Sequence, residues 1–245
     1  MKLTVLGNCG AYPAEGRACS GYLLEDDMVK VLIDCGSGVV SRLQKYCSIK
    51  NLSAVILSHL HWDHFSDLMT LRYAVDSLLL SGQRGPLKVY VPESPGELVE
   101  LIKYKDAIDI ETINGDKRYK IGEINIDFFP VKHSVMCWGL VAIKGSKKIL
   151  YSADTGYDEN LISLAKDIDL FLCEAALREM DYNEEVGKYH MTGRQAAMIG
   201  YKAGVKRLLL THFWPTHEPE DILKEAKQIE TVDVNIALEG KTYII

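Results

Sequence analysis

An α/β fold of two mixed sheets flanked by helices is what this sequence predicts, and three observations carry the prediction. Apolar runs of strand length alternate with helix-length stretches through both halves of the 245 residues, the pattern of a layered α/β domain. In the second half, the runs 124–131, 139–143 and 148–152 follow one another through links too short for crossover helices, so they pair antiparallel. No repeat, low-complexity tract or linker divides the chain. Residues 1–245 therefore read as one domain, and a hydrophobic content of 47% is enough for a sizeable core.

Taken in order, residues 3–6 read as a strand, followed by the loop 7–21, rich in turn formers. Residues 22–24 and 29–33 form a hairpin turning at Asp26-Asp27. Asp34-Cys35-Gly36-Ser37-Gly38 is a glycine turn opening a helix over 39–46, with Asp34 ending the strand as an ordinary N-terminal cap. The apolar run 53–57 precedes a histidine-rich turn, and 67–80 has helical length with an apolar face. A strand at 88–91 and a helix at 95–104, entered through Ser94 and Pro95, complete the first half. After the antiparallel runs come a helix at 159–166, a short buried strand at 170–173 and a helix at 192–203 capped by Thr192. A strand at 206–210, a helix at 219–230 and strands at 234–237 and 242–244 close the chain.

Composition narrows the partners. A net charge of −6 and a pI near 5.7 give no general attraction to polyphosphate, so a large nucleic acid is not the expected substrate. The six cysteines are scattered without a C-x-x-C pair, as reduced, buried thiols of a cytoplasmic protein would be. Residues 1–7 read as a first strand and not as a signal segment. No apolar run approaches the ~18 residues that span a bilayer, so a membrane partner is not expected. The apolar helix 67–80 leaves a homodimer open.

The chemistry centres on Ser58-His59-Leu60-His61-Trp62-Asp63-His64-Phe65-Ser66-Asp67. In extended chain, residues i and i+2 project to one side, so His59 and His61 can grip one ion. Asp63 and His64, where the chain must turn, can face a second ion about 3.5–4 Å away, forming a hydrolytic pair. The plain alternative is a polar turn of helix-capping histidines, for which crowding three basic rings without a cation has no evident use. His133, Asp154 and His212 each follow an apolar strand and supply what one cluster lacks, a carboxylate and further imidazoles. Asp154 in Asp-Thr-Gly could otherwise start a turn. That tripeptide occurs in aspartic proteases too, but their chemistry needs two such carboxylates and only one copy is present. No cysteine has a context that would lower its pKa, which disfavours a Cys-His nucleophile.

The set His59-x-His61-x-Asp63-His64, His133, Asp154 and His212 resembles the motif signature of the metallo-β-lactamase superfamily across most of the chain. That resemblance implies a four-layer αβ/βα sandwich. It also implies one metal on His59, His61 and His133, a second on Asp63, His64 and His212, Asp154 bridging, and a hydroxide nucleophile between them. Zinc is the first expectation for the two divalent ions, with manganese or iron also suited to imidazole and carboxylate donors. Asp154 stands where β-lactamases commonly carry a thiolate, and His61 where the diiron branch carries glutamate, so the resemblance favours hydrolysis other than of antibiotics.

Leu6-Gly7-x-x-Gly10-Ala11-x-Pro13 with Arg17, Asp34-Cys35-Gly36, Glu174-Ala175 and His190-Met191-Thr192 followed by Ala196-Ala197 are similar to ribonuclease Z and related phosphodiesterases. The resemblance makes Asp63, His190 and Glu174 the catalytic residues. His190 would stabilise the phosphate oxyanion or protonate the leaving oxygen, and Glu174 would orient it. A helix-start histidine and a solvated strand-end carboxylate are the plain alternatives. Arg17 would bind substrate phosphate, unless it is a solvated loop arginine. Only 20 residues separate His133 from Asp154, whereas ribonucleases Z that bind tRNA carry a long arm there. The chain more closely resembles small bacterial metal-dependent hydrolases of the YhfI type. The expected activity is therefore hydrolysis of a small phosphodiester, cyclic or nucleotide-like. The alternatives are a thioester or lactone hydrolase resembling glyoxalase II, a tRNA 3′ endonuclease, and a non-catalytic metal-stabilised binding module.

Overall fold

Two seven-stranded sheets stack face to face in the computed structural model, which describes residues 1–229 and 233–245. The first sheet holds β1 (Lys2–Gly7), β2 (Gly21–Asp26), β3 (Val29–Ile33), β4 (Ala54–Ile56), β5 (Leu87–Val91) and β6 (Ile108–Thr112), with β14 (Thr242–Ile244) on the outer edge beside β1. The second holds β7 (Tyr119–Ile121), β8 (Ile124–Pro130), β9 (Trp138–Lys144), β10 (Lys147–Tyr151), β11 (Leu170–Glu174), β12 (Leu208–Thr211) and β13 (Val234–Ile236) in sequential order. Both sheets are mixed. The chain winds antiparallel through β1, β2 and β3, then parallel through β4, β5 and β6. The second sheet repeats that order, with β7 to β10 antiparallel and β10 to β13 parallel.

Period-two alternation divides the core into three bodies. Tyr22, Leu24, Val31 and Ile33 point between the sheets, where they meet Ile149, Tyr151, Leu172 and Leu209. Leu23 and Leu32 point outward and pack with residues of α1 (Val39–Leu43), α3 (Leu68–Leu80) and α4 (Gly96–Ile102). Leu150, Phe171, Leu208 and Leu210 do the same on the far side with residues of α5 (Asn160–Leu164), α7 (Gly193–Ala203) and α8 (Pro219–Ala226). Strands buried on both faces explain why several read as continuous apolar runs. The result is the four-layer αβ/βα sandwich.

Local differences from the sequence expectations have physical causes. The helix expected over 39–46 ends at Leu43, and Gly38 holds its N-cap position in a left-handed conformation with φ 88°. Asp34 is therefore not its cap. The helix expected from Asp67 starts at Leu68, preceded by one separate turn, α2 (Trp62–Phe65). Thr192 does cap α7, in a capping box closed by Gln195. The helix expected over 219–230 spans Pro219–Ala226, and Glu230 lies outside the described residues. β6 and β7 were not foreseen, nor was the return of the C-terminal strand to the first sheet. Among the described residues, no helix is long and apolar enough to cross a membrane.

Candidate metal centre

Parallel pairing brings the ends of β3, β4, β10, β11 and β12 to one rim, and the chain turns sharply there. Asp34, Ala153 and His212 leave their strands with φ of 55°, 52° and 61°, as does Ala11 in the facing loop at 58°. Left-handed backbone at non-glycine residues costs on the order of 1–3 kcal/mol each and concentrates at functional sites. Two glycines of the motif are explained by close approach. A Cβ on Gly10 would lie 2.6 Å from the His212 ring, and one on Gly36 would lie 1.9 Å from the Asp63 carbonyl oxygen.

Two donor groups converge on this rim. In the first, His59 Nε2 and His133 Nε2 lie 3.1 and 3.0 Å from His61 Nδ1. In the second, His64 Nε2 and His212 Nε2 are 3.2 Å apart, with Asp63 Oδ2 3.5 and 3.3 Å from them. Asp154 Oδ2 sits 3.0 Å from His212 Nε2, 3.4 Å from His64 Nε2 and 3.7 Å from His59 Nε2. It faces both groups.

The ring orientations are fixed from behind. Ser58 Oγ donates to Asp34 Oδ2, so its oxygen is left to accept from His59 Nδ1 at 3.0 Å. His133 Nδ1 donates to the Tyr189 carbonyl at 3.3 Å. Both rings therefore turn an Nε2 lone pair inward, toward His61. Burial pushes the pKa values of His59 and His61 down and that of His133 down to about 4, so these rings are neutral near pH 7 and act as acceptors.

Asp34 anchors the second group. Its buried carboxylate accepts from the Ser58 amide and hydroxyl, the Tyr151 hydroxyl and His64 Nδ1, all within 2.9 Å. Burial opposes the charge of His64 and His212, yet Asp154 and Asp63 prevail and hold both rings above the usual imidazole range, His212 at about 10. Burial likewise raises the Asp63 and Asp154 carboxyls, and the two imidazoles overcome it and hold both below the ordinary carboxylate range. Asp154 Oδ1 and His212 Nδ1 are buried without a partner. Converging lone pairs, two carboxylates and an orphaned carboxylate oxygen are a donor set that fits divalent cations.

Beside the cluster, His190 donates from Nδ1 to Glu174 Oε1 at 3.0 Å and stacks on His212, centroids 5.5 Å apart at 14°. Glu174 is fully buried and also accepts from the amides of Thr155, Ala176 and Met191. It is not the solvated strand-end carboxylate. Burial lowers the His190 pKa, but Glu174 beside it leaves the net value raised. Arg17 is not brought to the cluster, because its guanidinium donates to Asn8 Oδ1 at 2.6 Å and faces Glu239 at 3.9 Å. The sequence reading missed the roles of Asp34, Ser58 and Tyr151. It also missed the Ala11 amide, which donates to Asp63 Oδ2 at 2.7 Å. Asp34-Cys35-Gly36 was the available signal.

The chain matches the β-lactamase superfamily domain over residues 29–213. It is 34% identical to the probable metallo-hydrolase YhfI of Bacillus subtilis, covering 98% of each chain. A crystal structure of YhfI superposes with a TM-score of 0.93 over 99% of both chains at 32% identity. Ribonuclease Z of Methanopyrus kandleri is 30% identical over 98% of this chain and 96% of its own.

Proposed function

The chain belongs to the β-lactamase superfamily and is a metal-dependent hydrolase, and on that premise we propose a dinuclear phosphodiesterase acting on small cyclic or nucleotide-like diesters. The observation that carries this reading is the shared position of Asp154 between two donor groups, with His190 poised at their side. His59, His61 and His133 would hold one ion and Asp63, His64 and His212 the other, with Asp154 between. Zinc fits first, and manganese or iron suit the same donors. Such ions would polarise a phosphoryl oxygen and supply a hydroxide nucleophile.

The rest falls to this chain's own side chains. Glu174 fixes the Nδ1 proton of His190, leaving Nε2 to carry a proton to the departing oxygen. The raised His190 pKa favours the protonated ring. A thiolate leaving a thioester would not need it, which favours the diester over a thioester. The 20 residues between His133 and Asp154 are consumed by β9, β10 and their flanking turns, so no arm extends there to hold a large RNA. A net charge of −6 adds none of the field that long polyanions require. The six buried thiols fit a reducing, cytoplasmic setting.

The test uses metal-loaded protein. His190→Ala should keep its metal and lose on the order of 10²–10⁴ in turnover of an alkyl diester. It should lose less on bis(p-nitrophenyl) phosphate, whose leaving group departs unprotonated. Thioester or lactone turnover far above any diester activity would overturn the reading, as would efficient processing of precursor tRNA.

A further inference from the structure

β4, β5 and β6 are parallel neighbours, so their C-terminal ends lie on one edge. β4 leads to the histidine cluster. The ends of β5 and β6, with the segments that follow them, border a cleft of about 660 Å³ with the C-terminal end of β8 and the first residue of β9, the two strands whose connection carries His133; the size suits a small organic ligand. One wall is joined to the cluster directly, since the Trp138 amide donates to the Ser58 carbonyl at 2.9 Å.

The lining has a definite chemistry. Phe128, Phe129, Pro130 and Trp138 make an apolar, aromatic side. Among the described residues, the only charged ones lining the cleft are Glu93 and Asp116, and no cationic side chain lines it. Trp138 pairs with Pro130 across the β8–β9 ladder, and its indole Nε1 is shielded without an acceptor. A buried indole N–H ordinarily has a partner. The backbone of Gly115 lies against the same ring, where a Cβ would stand 2.7 Å from it.

We propose that this cleft is the subsite for the organic half of the diester and takes a flat, uncharged, hydrogen-bond-accepting ring of the pyrimidine or purine class. The ring stacks along Trp138, and its acceptor draws the orphaned indole N–H out of its shielded position into a hydrogen bond. Glu93 and Asp116 in the lining disfavour a second phosphate in the cleft. The inference rests on the diester reading above and adds which part of the substrate is recognised, where, and by what.

Calorimetry on metal-loaded protein separates the two, because it reads binding without turnover. The probes are thymidine 5′-phosphate and methyl phosphate, which share the phosphate and differ in the ring. Wild type should prefer the thymidine probe by about 30-fold, within the range for one stacked base, and Trp138→Ala should cut that preference about tenfold. Trp138→Phe, which keeps a ring and removes the N–H, should fall between. Thymidine 3′,5′-bisphosphate should bind wild type no tighter than thymidine 5′-phosphate, and should gain on the Glu93→Gln/Asp116→Asn variant. Indole nitrogen NMR, assigned with Trp138→Phe, should show the Trp138 N–H resonance moving when the thymidine probe is added. No ring preference in wild type, or one unchanged in a folded, metal-loaded Trp138→Ala protein, would overturn the proposal. A Trp138-dependent preference without turnover of any diester would support the ring subsite while removing the diester reading.

Discussion

The two donor groups lie side by side and differ in how they resist protons. In the group of His59, His61 and His133, burial, helped by neighbouring imidazoles, keeps the rings neutral, and outer partners aim the lone pairs of His59 and His133 inward. In the group of Asp63, His64, Asp154 and His212, two carboxylates draw protons onto two imidazoles, and every member is buried. The first group is ready for an ion and its His61 and His133 are partly exposed. The second must release protons to receive one. On the proposed ligand assignment, the second group's affinity for an ion would be tied to pH more strongly than the first's.

Asp154→Ala should do the most damage, because it removes what the two groups share. Ion content should fall at both, with turnover down by at least 10²–10³, roughly the cost of one charge-stabilising group. Elemental analysis showing one ion lost and the other untouched would break the shared-ligand picture.

Asp34→Ala should sharpen the contrast. It strands the Tyr151 hydroxyl and His64 Nδ1 in the core, a loss of about 3–5 kcal/mol in denaturant unfolding. Metal affinity should drop about 10–100-fold, mainly in the carboxylate-bearing group that His64 belongs to. An equal drop at the histidine-only group would mean the two are not separately supported.

The metal-free chain should lose stability at both ends of the pH scale, each limb belonging to one group. His212, held up at about 10, contributes stability fully present below its unfolded value of about 6.5 and lost as pH rises through about 10. His133, held down at about 4, contributes stability present above about 6.5 and lost as pH falls toward about 4. Thermal midpoints in chelator should show the alkaline limb flattened by His212→Gln and the acid limb eased by His133→Gln. The smallest effect is in proton counting. Calorimetry in buffers of different ionisation enthalpy should find about one to two protons released by one ion and close to none by the other.

Much of this centre was legible because the candidate ligands cluster in sequence or follow apolar strands. His59, His61, Asp63 and His64 fall within six consecutive positions, and His133, Asp154 and His212 each punctuate the end of a run. What stayed hidden acts at long range. Asp34 meets Tyr151 across 117 positions, and a tyrosine within Leu150-Tyr151-Ser152 reads as core until its partner is placed. β6 and β7 were overlooked because each is the edge strand of its sheet. Ile108–Thr112 alternates with acidic residues, and charge on an edge blurs the strand signal while discouraging aggregation. Helix ends were misplaced by a few residues chiefly at C-termini, as where the helix expected over 39–46 ends at Leu43 and the one expected over 95–104 ends at Ile102.

The return of β14 to the first sheet has a consequence in time. Thr4 bonds Thr242 across 238 positions, and at about 5–20 residues per second that stretch takes roughly 10–50 s to synthesise. Throughout that interval one side of β1 is an open edge. The same late segment braces the loop that holds Asp63, through Asn8 to the Ala237 carbonyl and Glu239 to the Ala18 amide. A nascent chain therefore carries its histidine cluster long before the late segment can brace the loop that holds Asp63.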